Sequence, residues 1–146
     1  MQFDLMAPAY AGAGVHRDFP LVDSLDRETV MGAVDVAEDI GMGGIWAPDH
    51  FMLGPKKQEY EVWTFLSAVA ERTDDVDIGP LVGSITYRNP ALVAKMASTV
   101  DHLSGGRLRL GLGAGWHAEE HAAYGYDFPE VNERIDMLAE GLQVCE

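Results

Sequence analysis

One cysteine, three lysines and no long apolar run set the first limits on this chain of 146 residues. Cys145 alone excludes an internal disulfide and a multi-cysteine metal site. It falls on an apolar helical stripe, where a small packed residue rather than a nucleophile is expected. Lys56, Lys57 and Lys95 bring the basic residues to only 10 against 24 acidic ones, a net charge of −14. Such a surface repels phosphate backbones and argues against a nucleic-acid partner. No apolar run approaches the roughly 18 residues of a membrane span, so no membrane partner is expected. The opening MQFDLMAPAY carries an acid where a signal peptide carries basic residues. It reads as a first strand, and a cytoplasmic location is expected.

What is present is the pattern of one globular domain, residues 1–146, long enough to bury a core. Phe3 to Pro8 reads as a buried strand, followed by a polar, glycine-containing segment through about Ser24 that suits a functional loop. A helix is predicted over Asp26 to Ile40, with Val30, Ala33, Val34, Ala37 and Ile40 on one face. Residues 43–48 (GGIWAP) form a second strand. Glu59 to Arg72 forms a second helix, with Trp63, Leu66, Val69 and Ala70 at helical spacing. Val76 to Val82 is the third strand. Asn89-Pro90 is a helix start, a capping residue followed by proline at the first helical position. Leu92, Met96, Val100 and Leu103 supply that helix's apolar stripe, and Gly105-Gly106 ends it. Arg107 to Leu112 is the fourth strand, and a last helix carries Val131, Ile135, Leu138, Leu142 and Cys145. Four βα units in a row predict a parallel sheet with right-handed crossovers, either doubly wound or part of a (β/α)8 barrel.

The stretch RLRLGLGAGWHAEEH (107–121) allows three chemistries. A dinucleotide loop needs G-x-G-x-x-G, but Trp116 stands where the third glycine belongs, and no Lys-Ser/Thr pair follows to make a P-loop. A zinc hydrolase is suggested by His117, Glu120 and His121, which spell H-x-x-E-H, but no third protein ligand is identifiable by pattern. In the third reading Gly111, Gly113 and Gly115 end a barrel strand. Alternate glycines there clear one face for a flat ligand or another backbone.

Barrel sites are built from the loops after the strands, so the other strand ends should also carry chemistry. The second ends in Trp46-Ala47-Pro48-Asp49-His50-Phe51, where a carboxylate beside an imidazole can set its tautomer or share a proton with a ligand. The third continues through Leu81, Val82, Gly83, Ser84, Ile85, Thr86, Tyr87 and Arg88, an apolar, small-residue stretch suited to lying against a ring.

W-x-x-D-H-F (46–51), Y-R-N-P-A-L-V-A-K-M-A-S-T-V-D-H-L-S-G-G-R-L (87–108) and G-L-G-A-G-W-H-A-E-E (111–120) resemble the bacterial luciferase-like monooxygenase family. Within it the resemblance is strongest to members that use the deazaflavin coenzyme F420. The resemblance implies an oxidoreductase with a flavin or deazaflavin at the mouth of a TIM barrel. F420 is the preferred cofactor and FMN the alternative, with hydride transfer or, in FMN-using members, oxygen activation. Carried over, Asp49 and His50 lie by the ring, with His50 the acid/base candidate. Leu81, Val82, Gly83 and Ser84 match the third-strand bulge, often a non-proline cis peptide, that backs the ring. Gly113, Ala114 and Gly115 match the loop beside the cofactor, with Trp116 as a wall. Some deazaflavin dehydrogenases place a proton-donating glutamate directly after this loop; Trp116 closes that route here. Four units amount to the N-terminal half of a (β/α)8 barrel. A small-molecule substrate is expected, and a homodimer or a partner polypeptide to complete the barrel. A second function class follows from the same geometry, a non-catalytic subunit that completes a partner's barrel.

Overall fold

The computed structural model describes residues 1–12 and 25–146. The candidate functional loop falls largely on 13–24 and lies outside the described residues. The elements run β1 (Leu5–Met6), α1 (Arg27–Asp39), β2 (Gly44–Ala47), α2 (Val62–Arg72), β3 (Asp77–Pro80), β4 (Gly83–Ser84), α3 (Pro90–Leu103), β5 (Leu112–Gly113), α4 (Ala118–Tyr124) and α5 (Val131–Cys145). β1, β2 and β3 pair in that order, all parallel, with Ile45 opposite Leu5 and Ile78. β4 and β5 form a second parallel pair, Gly83 opposite Leu112 and Ser84 opposite Gly113.

The expected third strand is broken in two. β3 ends at Pro80, the Leu81–Val82 peptide is cis, and β4 resumes at Gly83. The fourth strand follows that break. Ile78 N–H donates to Arg107 O (3.0 Å) and Arg109 N–H to Ile78 O (2.8 Å) before the interruption. Beyond it Gly83 N–H donates to Gly111 O (2.9 Å) and Ile85 N–H to Gly113 O (3.0 Å). Residues 107–113 therefore run parallel beside 77–85, and regular pairing is confined to Leu112–Gly113 because the partner bulges.

The core lies between this sheet and the helices, where Val30, Val34, Ile45, Leu66, Val69 and Ile78 are fully buried. Each such side chain stabilises the fold by about 1.5–3 kcal/mol relative to exposure. The predicted faces of α1 and α2 are largely those observed, although Ile40 caps α1 and is exposed. Asn89 accepts a bond from Ala91 N–H (2.9 Å) with Pro90 at the first helical position, the cap its sequence predicts.

Two stripes are corrected. On α3 the buried residues are Val93, Ala97 and Val100, while Leu92 and Leu103 are exposed. The helix lies against both α2 and α5, so it turns its small Ala97 inward and leaves the larger leucines at its ends outside. On α5 the expected Val131, Ile135 and Leu142 are exposed, and the buried position is Gly141. A Cβ there would sit 2.4 Å from the Cδ1 of buried Ile85, so glycine sets how closely α5 approaches. Gly141→Val is expected to lower stability by about 1–3 kcal/mol through overpacking, read as a fall in thermal midpoint with an unchanged circular dichroism spectrum.

Candidate functional site

The parallel strands deliver their C-terminal ends to one rim. β2 runs out through Pro48 into Asp49 and His50, and Asp49 is almost fully buried. Its carboxylate accepts Ser84 N–H (2.8 Å) and both Arg88 terminal nitrogens (2.6 and 3.0 Å). Arg88 also donates to Glu61 (2.7 Å). Asp49 thus clamps the end of β2 to β4 and to the entry of α3. The expectation that it orients His50 is corrected, because its oxygens are spent on Ser84 and Arg88. Charge-assisted bidentate pairing of this kind is the strong form of ion pair. Arg88→Met leaves a buried carboxylate without its cation and is expected to cost about 3–5 kcal/mol in urea unfolding at pH 7.

The residue that does hold His50 is Glu120, which has no exposed surface at all. Its Oε2 accepts from the Tyr87 hydroxyl and lies at hydrogen-bond distance, 2.8 Å, from His50 Nδ1. Its Oε1 accepts from the backbone N–H of Phe51 (2.8 Å) and of Met52 (2.7 Å). Burial pushes the Glu120 carboxyl up, but bonds from Tyr87, His50 and Met52 outweigh it and hold the group at about 2. Burial, then the bond to Glu120, pushes the Tyr87 phenol far above its ordinary value, so it stays a donor. Phe51 stacks on Tyr126 (5.7 Å, 9°) and tilts against Tyr87 (4.7 Å), which fixes the loop that carries His50.

His121 goes elsewhere. Its Nδ1–H donates to His117 O (3.0 Å), which a carbonyl requires, so its Nε2 accepts from Thr86 Oγ1 (2.8 Å). Thr86 then accepts from Ser84 Oγ (2.8 Å), leaving the Ser84 oxygen an acceptor. The zinc arrangement of His117, Glu120 and His121 fails on this point, since both ring nitrogens of His121 are engaged. The ligand-type atoms that do converge are those of His50, His117 and Glu120, all within 4.8 Å of one another. Three donors, Phe51 N–H, Met52 N–H and the Tyr87 hydroxyl, already engage the Glu120 carboxylate, and His117 Nδ1 lies 3.4 Å from its Oε1 without a hydrogen-bond partner.

Asp49, His50, Leu81, Val82, Gly83, Ser84, Gly113, Gly115 and Trp116, with Tyr87, line one cavity of 170 Å³. Ala114 sits between two lining glycines but does not itself line the cavity. The close approach that alternate glycines permit is made by the third strand. A Cβ on Gly113 would lie 2.7 Å from Val82 Cγ2, and one on Gly115 would lie 2.9 Å from Ser84 Oγ. Gly115 also has φ +76°, which a side chain strains. Leu81, Val82 and Trp116 stay 49 %, 42 % and 65 % exposed, an apolar wall facing no other described residue closely enough to be covered. Trp116 meets His50 edge-on (5.3 Å, 70°). A larger hollow of 720 Å³ lies between α1 and α2, lined by Met31, Tyr60 and Phe65 among others. It contains none of the strand-end residues, and size alone does not make a site.

Glu120, Tyr87 and Arg88 are the site residues that sequence reasoning passed over in these roles. The available signal was the placement of two acids, Glu119 and Glu120, in the first turn of a short helix directly after the glycine loop.

Parallel βα units whose strand ends converge on one cavity define an α/β protein built as part of a (β/α) barrel. The sequence profile of the luciferase-like monooxygenases matches residues 1–146, and the chain belongs to that family. It is 38 % identical over 111 residues to an F420-dependent glucose-6-phosphate dehydrogenase of Amycolatopsis mediterranei, covering 74 % of this chain and 33 % of that one. It is 31 % identical over 121 residues to a limonene 1,2-monooxygenase of Rhodococcus erythropolis, covering 83 % and 28 %. The chain therefore spans about a third of the length of these relatives. Among solved structures, an F420-dependent secondary alcohol dehydrogenase bound to an F420–acetone adduct matches 99 % of this chain and 40 % of its own, at 25 % identity and a TM-score of 0.75. A riboflavin lyase crystallised with modified FMN matches with a TM-score of 0.80 at 20 % identity, a likeness of fold.

Proposed function

We propose that this chain forms the ring-binding part of an oxidoreductase that uses F420 or, as the alternative, FMN. The observation that carries the reading is the convergence of three strand ends on one cavity with an apolar wall and a polar edge. Leu81, Val82 and Trp116 offer flat apolar surface, while His50 and Ser84 offer acceptors, the lining a planar heterocycle with polar edges requires. At 170 Å³ the cavity is below the roughly 300–1,000 Å³ of a complete ligand site, so it holds part of a cofactor rather than all of it.

When bound, the cofactor supplies hydride or oxygen-activating chemistry; the protein supplies placement and proton handling. Val82 and the 111–115 loop back the ring. His50 Nε2 has no partner among the described residues and is the atom that takes or returns a proton beside it. Asp49, locked to Arg88, holds the rim and moves no proton. Trp116 excludes water from one side and has no acidic proton to give. F420 is preferred over FMN because relatives above 30 % identity include several that are named F420-dependent.

The test is to pass the purified protein over gel filtration with F420 and, separately, FMN, and to read visible absorbance in the protein peak. Retention of F420 in preference to FMN is expected, and retention of neither contradicts the reading. Val131, Ile135 and Leu142 on α5, with Leu81 and Val82, leave an apolar surface uncovered. We infer that further βα units of a complete barrel cover it. No helix among the described residues is long and apolar enough to cross a membrane.

A further inference from the structure

We propose that Glu120 is a positioning residue that pins the His50 proton at Nδ1, confining proton exchange with a bound group to Nε2. The inference deepens the oxidoreductase reading and rests on it for its functional meaning.

Its ground is the donor inventory around one carboxylate. The Phe51 and Met52 amides can only donate, and both are aimed at Oε1 at 2.8 and 2.7 Å. The Tyr87 hydroxyl donates to Oε2. Three donors fixed on one carboxyl favour its ionised form, which can only accept from His50. The fourth contact, 2.8 Å from His50 Nδ1, must then carry its hydrogen on the imidazole. In the neutral ring Nε2 is left with the lone pair, and a ring that gains a proton gains it there. Asp49, adjacent in sequence, does not share the role of Glu120, because its three bonds go to Ser84 and Arg88 and none to His50. Glu120 lies fully buried beneath His50, so it acts on a bound group only through the imidazole.

Glu120→Gln gives an outcome that a merely structural role does not. The two amide donors force the glutamine carbonyl to take the place of Oε1. Its NH2 then faces Tyr87 and His50 Nδ1, where it can only donate. His50 must answer by accepting at Nδ1 and moving its proton to Nε2, which turns the cavity-facing atom from acceptor to donor.

The experiment is ¹⁵N NMR of histidine-labelled protein at alkaline pH, where the ring is neutral, reading the His50 tautomer from its two-bond couplings. Wild type is expected to show Nδ1–H, Glu120→Gln to show Nε2–H, and Tyr87→Phe, which removes a different donor from the same oxygen, to keep Nδ1–H. Nε2–H in the wild type overturns the proposal without need of any variant, as does Nδ1–H in a folded Glu120→Gln. The measurement needs neither cofactor nor substrate. Failure to bind F420 and FMN would therefore remove the oxidoreductase reading while leaving the tautomer result standing. Where the cofactor does bind, Glu120→Gln should retain it and lose turnover at least tenfold.

Discussion

Glu120→Ala is expected to destabilise the protein by about 3–5 kcal/mol at pH 7, because it strands the Phe51 and Met52 amides, the Tyr87 hydroxyl and the His50 ring together. All four donors converge on one buried carboxylate, and no described residue is placed to replace it. The same substitution should change the acid limb of the stability curve. Glu120 is held at about 2 in the folded protein against an ordinary value of 4.5. A carboxyl with a lowered folded pKa binds fewer protons folded than unfolded, so its contribution, roughly 3 kcal/mol, is complete above about pH 4.5 and is lost as pH falls toward 2. Urea unfolding between pH 2 and pH 7 should show that loss in the wild type and a flatter acid limb in the alanine variant. Equal acid limbs in the two proteins would show that the carboxylate is not held as described.

The second large effect has the opposite sign. Glu59 sits beside Asp49 and Glu120 with both carboxyl oxygens buried and no well-formed hydrogen bond among the described residues. Burial, then the charge on Glu120, pushes its pKa up to about 8, with only the Leu53 amide opposing. A carboxyl with a raised folded pKa binds more protons folded than unfolded. Its ionisation therefore costs stability progressively as pH rises from about 4.5 to about 8, by roughly 3–5 kcal/mol in full. Glu59→Gln keeps the shape and removes the charge. The variant should match the wild type near pH 4.5 and exceed it by a few kcal/mol at pH 8, measured by urea unfolding. A parallel offset at all pH values would mean that Glu59 ionises freely in the folded state.

These two carboxyls also mark where sequence reading stops. The fold was largely legible. Apolar spacing located α1, α2 and β2, and the Asn89-Pro90 pair located the start of α3, because each is a local signal carried by neighbouring residues. The same spacing misjudged which side of α3 and α5 is buried, since that depends on what packs against them. The break of the third strand at Leu81–Val82 was expected only through the family resemblance, the short helix α4 was not predicted as an element, and the regular part of the fourth strand shortened with its partner.

At the site, the residues that line the cavity were legible because barrel geometry sends strand ends to one rim. Their partners were not. Asp49 and His50 are adjacent in sequence and invite a pairing between them. Their actual partners lie 35, 39 and 70 positions away at Ser84, Arg88 and Glu120. Nothing in a single sequence distinguishes Glu120 from Glu119 next to it. One is buried under His50 and the other is exposed beside Lys57. Which of the two turns inward is decided by two backbone amides in the 50–52 loop, a feature no side-chain pattern records.

The central claim is that the ends of the second, third and fourth strands jointly hold the cofactor's ring. A crystal structure of the protein soaked with F420 tests it most directly. The ring should lie in van der Waals contact with Val82 and Gly113 on one side and within reach of His50 Nε2 and Trp116 on the other. Density for the ring in the hollow between α1 and α2, against Tyr60 and Phe65, would contradict the account.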